Sequence, residues 1–181
     1  LSPFHPPKDL SAVFTNPAEE LVTIVDQDNN PIGAVTRRIM RQQNLIHRAS
    51  YILVFNRAGQ LFIQKRTATK DIYPGYWDLA AGGVVLAGEP YLESAQRELR
   101  EELGLTGVKL SFLFDQYFEE SGNRVWGSIF SCVSEGPFTL QKEEIDYGRF
   151  IDLDEIEVLH QTEPVTPDGM ALLRLLPHDR I

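Results

Sequence analysis

At 181 residues, 43% of them hydrophobic and 24% charged, the chain has the length of one domain and a globular composition, which excludes a disordered or fibrous protein. Its 17 Lys and Arg against 26 Asp and Glu leave a formal charge of −9, which argues against binding a nucleic-acid polymer or an anionic membrane surface. The single cysteine, Cys132, rules out an internal disulfide, no apolar run approaches the ~18 residues of a membrane span, and the lack of a signal peptide makes the cytoplasm the expected compartment.

Prolines at 3, 6, 7 and 17 and the want of any apolar period mark residues 1–18 as an extended arm ahead of a single domain over 19–181. Leu21-Val22-Thr23-Ile24-Val25 and Ile32-Gly33-Ala34-Val35-Thr36 read as two strands about a turn of Asp, Asn and Pro, a first hairpin. The polar residues 37–44 suit a short helix. A second hairpin is expected from residues 49–55 and 60–64, with Gly59 in its turn. The basic stretch 65–70 then leads to Tyr73-Pro74-Gly75-Tyr76-Trp77, where Pro74 and Gly75 interrupt regular structure.

Leu92, Ala95, Leu99 and Leu103 recur at steps of three and four and predict an amphipathic helix over 89–103, with Gly104 as its stop. Glu98, Glu101 and Glu102 share a face of that helix, being three and four residues apart, and Arg97 stands four residues from both Glu93 and Glu101, placed to bridge carboxylates. Three like charges repel one another unless a cation lies among them. This helix, entered from the paired glycines 82 and 83, therefore has the layout of a site for a hard divalent cation. Such a cation suggests a phosphate-bearing substrate, because Mg²⁺ is commonly held by one or two carboxylates plus substrate phosphates.

Residues 108–119 and 125–134 form an expected third hairpin around Glu120-Ser121-Gly122-Asn123, with Cys132 at a buried strand position. Glu143 and Glu144 lie in a polar connection before a short strand around Phe150. Asp152-Leu153-Asp154-Glu155 has the capping-box pattern of a helix start, and Thr166-Pro167-Asp168 opens a last helix that presents Met170, Leu172, Leu173 and Leu176 to a sheet. The expected fold is α/β, a mixed sheet sandwiched between three helices.

Residues 83–105 follow the spacing G-x5-E-x7-R-E-L-x-E-E-x-G-L, carried by Gly83, Glu89, Arg97, Glu98, Leu99, Glu101, Glu102, Gly104 and Leu105. In this the chain resembles a Nudix hydrolase. The resemblance implies an α/β/α sandwich whose loop and helix grip Mg²⁺ or Mn²⁺, with Glu98 and Glu102 as metal ligands. Glu101 is then a third ligand or the group that orients or deprotonates water, and the carbonyl of Gly82 is a further candidate ligand. Arg97 and Glu89 would hold the carboxylates and the loop. The implied reaction is attack of water on one phosphorus of a diphosphate in a nucleotide or related small metabolite.

A wider likeness, over about residues 20–160, is to the isopentenyl-diphosphate isomerases and the isomerase-like Nudix hydrolases, through Pro31-Ile32-Gly33, His47-Arg48-Ala49, Gln64-Lys65-Arg66, Lys70 and Pro74-Gly75-Tyr76-Trp77 among others. In the isomerases the positions matching Arg66 and Lys70 hold the substrate diphosphate, so both are candidate substrate residues here. The isomerases' catalytic cysteine falls on Gly82, two of their ligand histidines on Val84 and Met40, and their tryptophan on Phe150; of the three histidines only His47 remains. Protonation and deprotonation of an alkene cannot run without an acid and a base. Hydrolysis is therefore the expected activity, with isomerisation or a noncatalytic ligand-binding module as alternatives. His47 is read either as a core histidine donating to a carbonyl or as a substrate contact. Trp77, with Tyr73, is read either as a stacking surface for a base or as a plug at the core edge, and Glu144 either as a distant catalytic glutamate or as a surface charge. The expected partner is a small-molecule diphosphate, bound by a monomer or homodimer with no nucleic-acid polymer and no membrane.

Overall fold

The structure, a computed structural model, describes residues 16–177. The fold is built on β3 (His47–Phe55), whose nine residues alternate between two apolar layers. Leu53 enters one core and Ile52 and Val54 the other, as the period of two along a strand requires. Along one edge β3 pairs in parallel with β8 (Asn123–Val133) over its whole length. Along the other edge it meets β1 (Leu21–Val25) at His47, β6 (Ala81–Val84) from Ala49 to Ile52, and β4 (Leu61–Arg66) at Phe55. Antiparallel partners complete a nine-stranded mixed sheet: β2 (Pro31–Thr36) beside β1, β7 (Ser111–Glu120) beside β8, and β5 (Trp77–Asp78) and β9 (Ile145–Ile151) on β4.

Helix α2 (Tyr91–Leu103) covers one face of the sheet through Ala95, Leu99 and Leu103, which pack with Ile52, Val54, Phe62 and Phe130. Helices α3 (Ile156–Thr162) and α4 (Pro167–Leu175) cover the other face through Ile156, Leu159, Met170 and Leu172, against Leu53, Leu61, Ile63 and Ile129. The expected sandwich of helices about a mixed sheet is thus the fold. Cys132 is buried in β8 as its apolar neighbours suggested.

The three hairpins stand where turn chemistry placed them, and residues 37–42 form the short helix expected there, α1 (Arg37–Gln42), whose first turn is capped by the Thr36 hydroxyl accepting from the Ile39 N–H. The later helices depart from expectation in two ways. Helix α2 begins at Tyr91, after Pro90, and Leu92 is exposed. Its buried face is Ser94, Ala95, Glu98, Leu99, Glu102 and Leu103, a stripe that carries two carboxylates inward with the leucines. The capping box is absent: Asp152 makes no side-chain cap bond, and the chain first takes a 3-10 turn over Leu153–Glu155 before α3. Of the expected N-terminal arm, residues 1–15 lie outside the described residues; Pro17–Glu19 form a 3-10 turn capped by Asn16.

Candidate active site

The two glycines before α2 owe their identity to different neighbours. At Gly82, φ is +137°, and a Cβ would lie 1.9 Å from the Ser50 carbonyl oxygen on β3, so the pairing of β6 with β3 admits no side chain there. At Gly83 a Cβ would lie 2.6 Å from Glu98 Oε1. Its absence lets the Glu98 carboxyl rest against the backbone of β6.

Glu98 and Glu102 are 7% and 6% exposed, whereas the Glu101 side chain is 45% exposed. Glu102 Oε2 accepts from the Gly82 N–H at 3.1 Å and from Gln64 Nε2 at 3.2 Å. Burial, and after it the neighbouring Glu98 carboxylate, push Glu102 up to about 8; burial also raises Glu98, against the pull of Arg97 and with the push of Glu101. A buried carboxylate pair in this state gains by taking up positive charge.

Arg97 holds this acidic group to the loop before it. Its Nε and Nη2 donate to the two Glu89 oxygens at 2.7 and 3.0 Å, a bidentate clamp. Its Nη1 donates to Glu98 Oε1 at 2.8 Å and to Glu101 Oε2 at 3.1 Å. Glu89 Oε2 in turn accepts the Leu86 N–H at 3.1 Å, which fixes the turn between β6 and α2. The expected bridge to Glu101 is present; the other acidic partners are Glu89 and Glu98, and Glu93, four residues the other way, is not among them.

Among the described residues no three His, Cys, Asp or Glu side chains converge into a metal cage. The donor set nevertheless fits a hard divalent cation. Two buried, mutually repelling carboxylates sit beside a strand stripped of Cβ atoms, which is the partial protein shell such an ion takes when phosphate oxygens complete it.

A polar cleft opens beside Gly82 and Gly83. Arg66 and Lys70 border it, as do His47, Arg37 and Arg41. Arg66 is already engaged: Nη1 donates to Asp78 Oδ2 at 2.9 Å, and Nε and Nη2 to the Ile72 carbonyl at 3.2 and 2.9 Å. Lys70 pairs with Glu144, so those two predicted residues meet each other outside the carboxylate group. Burial, then the charge of Arg66, lowers the Lys70 pKa. His47 is 2% exposed, and its Nδ1 lies 3.2 Å from the Leu45 carbonyl, the bond of a core histidine. Burial and the charge of Arg41 hold it down at about 3, hence neutral.

Trp77 stands apart from the cleft. It is 5% exposed, donates Nε1–H to Glu163 Oε2 at 2.7 Å, and has Lys65 over its ring and the Tyr147 ring at its edge. Also bordering the cleft, Tyr51 donates to Asp168 Oδ2 at 2.8 Å, and burial, followed by Asp78, raises Asp168 to about 6. Gln64, Tyr51, Asp168, Arg37 and Arg41 are site residues that sequence reasoning did not single out. For the two arginines a signal existed, since their spacing of four on a polar helix puts them on one face.

A family model of the NUDIX domain matches residues 45–173. Over 156 residues the chain is 47% identical to the Nudix hydrolase PA4841 of Pseudomonas aeruginosa, covering 86% of this chain and 92% of that protein. Over 156 residues it is 46% identical to the Nudix hydrolase YfcD of Escherichia coli strain K12, covering 86% of each. The crystal structure of DR0079 from Deinococcus radiodurans matches with a TM-score of 0.74 at 23% identity, over 86% of this chain and 98% of that one, a likeness of fold. The chain belongs to the Nudix hydrolase family. It is an enzyme of the class that acts on pyrophosphate-containing substrates, and the family generally uses divalent metal ions.

Proposed function

We propose that the protein is a Mg²⁺-dependent hydrolase, with Mn²⁺ as a substitute, that cleaves a diphosphate linkage in a nucleotide or related small metabolite. The observation that carries this reading is the burial of Glu98 and Glu102 side by side against Gly82 and Gly83, with pKa values raised by burial. In it, Glu98 and Glu102 hold the metal. A bound Mg²⁺ would supply neutralisation of phosphate charge and a lowered pKa for its water. Glu101, exposed and steadied by Arg97, takes the proton from the attacking water at its carboxylate. The water oxygen forms the new bond to phosphorus as the bridging oxygen leaves with its electron pair. Arg97 keeps Glu98 and Glu101 in register and takes no proton, and the Gly82 N–H and Gln64 hold Glu102.

Within the family we place the chain in the isomerase-like branch, on the segments shared with the isopentenyl-diphosphate isomerases, and take residues 19–181 as one domain. Isomerisation is the weaker reading. Gly82 stands where the isomerases carry their cysteine, and a side chain there would meet the Ser50 carbonyl oxygen.

The test is a screen of nucleoside di- and triphosphates, dinucleotides and prenyl diphosphates with and without Mg²⁺, read by anion-exchange chromatography as the phosphorylated products. Turnover that needs metal and disappears in Glu98→Gln supports the reading. Equal rates for wild type and Glu98→Gln on every substrate, or conversion of isopentenyl to dimethylallyl diphosphate, would sink it.

A further inference from the structure

The cleft beside the carboxylates is bordered by four cationic side chains, and they are not equally free. Arg66 has all three of its nitrogens donating, to Asp78 and to the Ile72 carbonyl, and Lys70 is paired with Glu144. The two arginines of α1 differ. Arg37 Nη2 lies 3.1 Å from Glu20 Oε2, and Arg41 Nε donates to Asp71 Oδ2 at 3.0 Å. Each contact orients its guanidinium. Yet Arg37 Nε and Arg41 Nη1 are buried with no hydrogen-bond partner. Orphaned buried N–H groups are rare because each costs about 1–3 kcal/mol, more on a charged group, so two on adjoining turns of one helix call for an acceptor. The remaining unpartnered buried side-chain atoms among the described residues are Arg124 Nε, away from this cleft, and Thr166 Oγ1, an uncharged group that also borders it.

The charge of both arginines reaches into the cleft. Both border it together with Gly82 and Gly83, the charge of each acts on His47, and Arg37 also acts on Glu98. His47 is neutral and adds no positive charge of its own. The α1 pair and the two glycines against which the acidic pair rests thus line one cleft. That is the separation of charge a diphosphate needs, with one phosphate on the metal side and the other on cations.

We infer that Arg37 and Arg41, rather than Arg66, are the side chains that bind the substrate's diphosphate on the side away from Glu98 and Glu102. The inference rests on the reading of this cleft as a diphosphate site, and it names the binding residues for it. Arg66 and Lys70 then serve as scaffold, holding the 66–78 loop through Asp78, Ile72 and Glu144. Arginine suits the task because its planar fork presents two N–H groups to one phosphate.

The experiment measures binding of methylene diphosphonate, which is not hydrolysed, by calorimetry in Mg²⁺, so that no turnover is required. Arg37→Gln and Arg41→Gln are each expected to weaken binding about tenfold and the pair about a hundredfold, as loss of one charge-assisted contact per arginine implies. Arg124→Gln should leave binding unchanged. Because each substitution also breaks an ion pair, Glu20→Gln and Asp71→Asn are measured alongside. They break the same pairs but keep the donors, so their binding should equal or exceed wild type. The inference is overturned by a wild type that does not bind the probe, by an unchanged double variant, by Arg66→Gln costing more than the double variant, or by Glu20→Gln and Asp71→Asn losing as much as the arginine variants. If the α1 dependence holds while no diphosphate is hydrolysed, the binding assignment stands and the hydrolase reading falls. Turnover with no α1 dependence has the reverse meaning.

Discussion

The site has an acidic wall, resting against Gly82 and Gly83, and a cationic wall that borders the cleft beside them, and the two are made in different ways. The acidic wall is a single local unit: Glu89, Arg97, Glu98, Glu101 and Glu102 come from one loop and one helix, and Arg97 bonds to three of the four carboxylates, those of Glu89, Glu98 and Glu101. The cationic wall is assembled from separated segments, α1, the end of β4 and the loop after it, and each cation there is set by an acid remote in sequence. Arg37 answers to Glu20, Arg41 to Asp71, and Lys70 to Glu144. A local unit can keep its geometry while the rest of the molecule varies. An assembled wall can change its ligand by changing any one of several segments, so chemistry is expected to reside in the first and choice of substrate in the second.

Removing charge from the acidic wall should have the largest effect. Glu98→Gln and Glu102→Gln are each expected to lower kcat by roughly 10²–10³-fold, the loss of several kcal/mol of charge stabilisation at phosphorus. Their thermal midpoints without metal should stay equal to wild type or rise, since each change relieves a buried repulsion. Mg²⁺ should raise the wild-type midpoint and leave theirs unmoved. A wild type whose midpoint ignores Mg²⁺ would remove the metal from this wall.

The two glycines separate fold from chemistry within the same strand. Gly83→Ala drives a Cβ to 2.6 Å from Glu98 Oε1, a movable side chain, and should cost about 10²-fold in rate through misplacement of the carboxyl with a small change in stability. Gly82→Ala sets its Cβ 1.9 Å from a backbone carbonyl at φ +137° and should cost about 3 kcal/mol or more of stability. Denaturation and kinetics on the two purified variants would show the contrast; equal stability losses would refute it. Smaller again is Glu144→Gln. Its carboxylate meets Lys70 and no residue of the acidic wall, so kcat should change by less than about threefold, as for a partly exposed pair.

How much could be read in advance follows the same division. The acidic wall was legible because its carboxylates are three and four residues apart and Arg97 reaches partners one, four and eight residues away, distances that a helix and the turn before it convert directly into proximity. What the pattern could not show is which carboxylates go inward. Leu92 continued the leucine period yet is exposed, and Glu98 and Glu102 took the buried positions, because the Cβ-free strand at Gly83 accepts a carboxyl. On the cationic wall, the basic composition of 65–70 drew attention to Arg66, whose guanidinium is consumed by Asp78 and the Ile72 carbonyl. Such non-local pairings leave no periodic trace in a single sequence. Trp77 illustrates the same limit: beside Pro74 and Gly75 it reads equally as platform or plug, and neither reading contained its bond to Glu163, 86 residues on.

His47 sits at the seam of the two walls, and its titration tests how dry that seam is. In the native protein burial, then Arg41, holds the imidazole down at about 3, while in the unfolded chain it titrates near the usual 6.5. Between those values the unfolded state binds a proton that the native state refuses. The contribution of His47 to stability is therefore complete above about pH 6.5 and is lost as the pH falls toward 3. Glu102 and Asp168 bend stability the other way, since their raised pKa values make the native state the better proton binder. The effect is accordingly read as a difference. His47→Asn keeps an N–H near the position of Nδ1 for the Leu45 carbonyl but does not titrate. Denaturation midpoints of wild type and variant should converge, or cross in favour of the variant, as the pH is lowered from 7 to 5. A difference that stays flat over that range would mean that the imidazole is solvated, and that the seam between carboxylates and arginines is open to water before any substrate arrives.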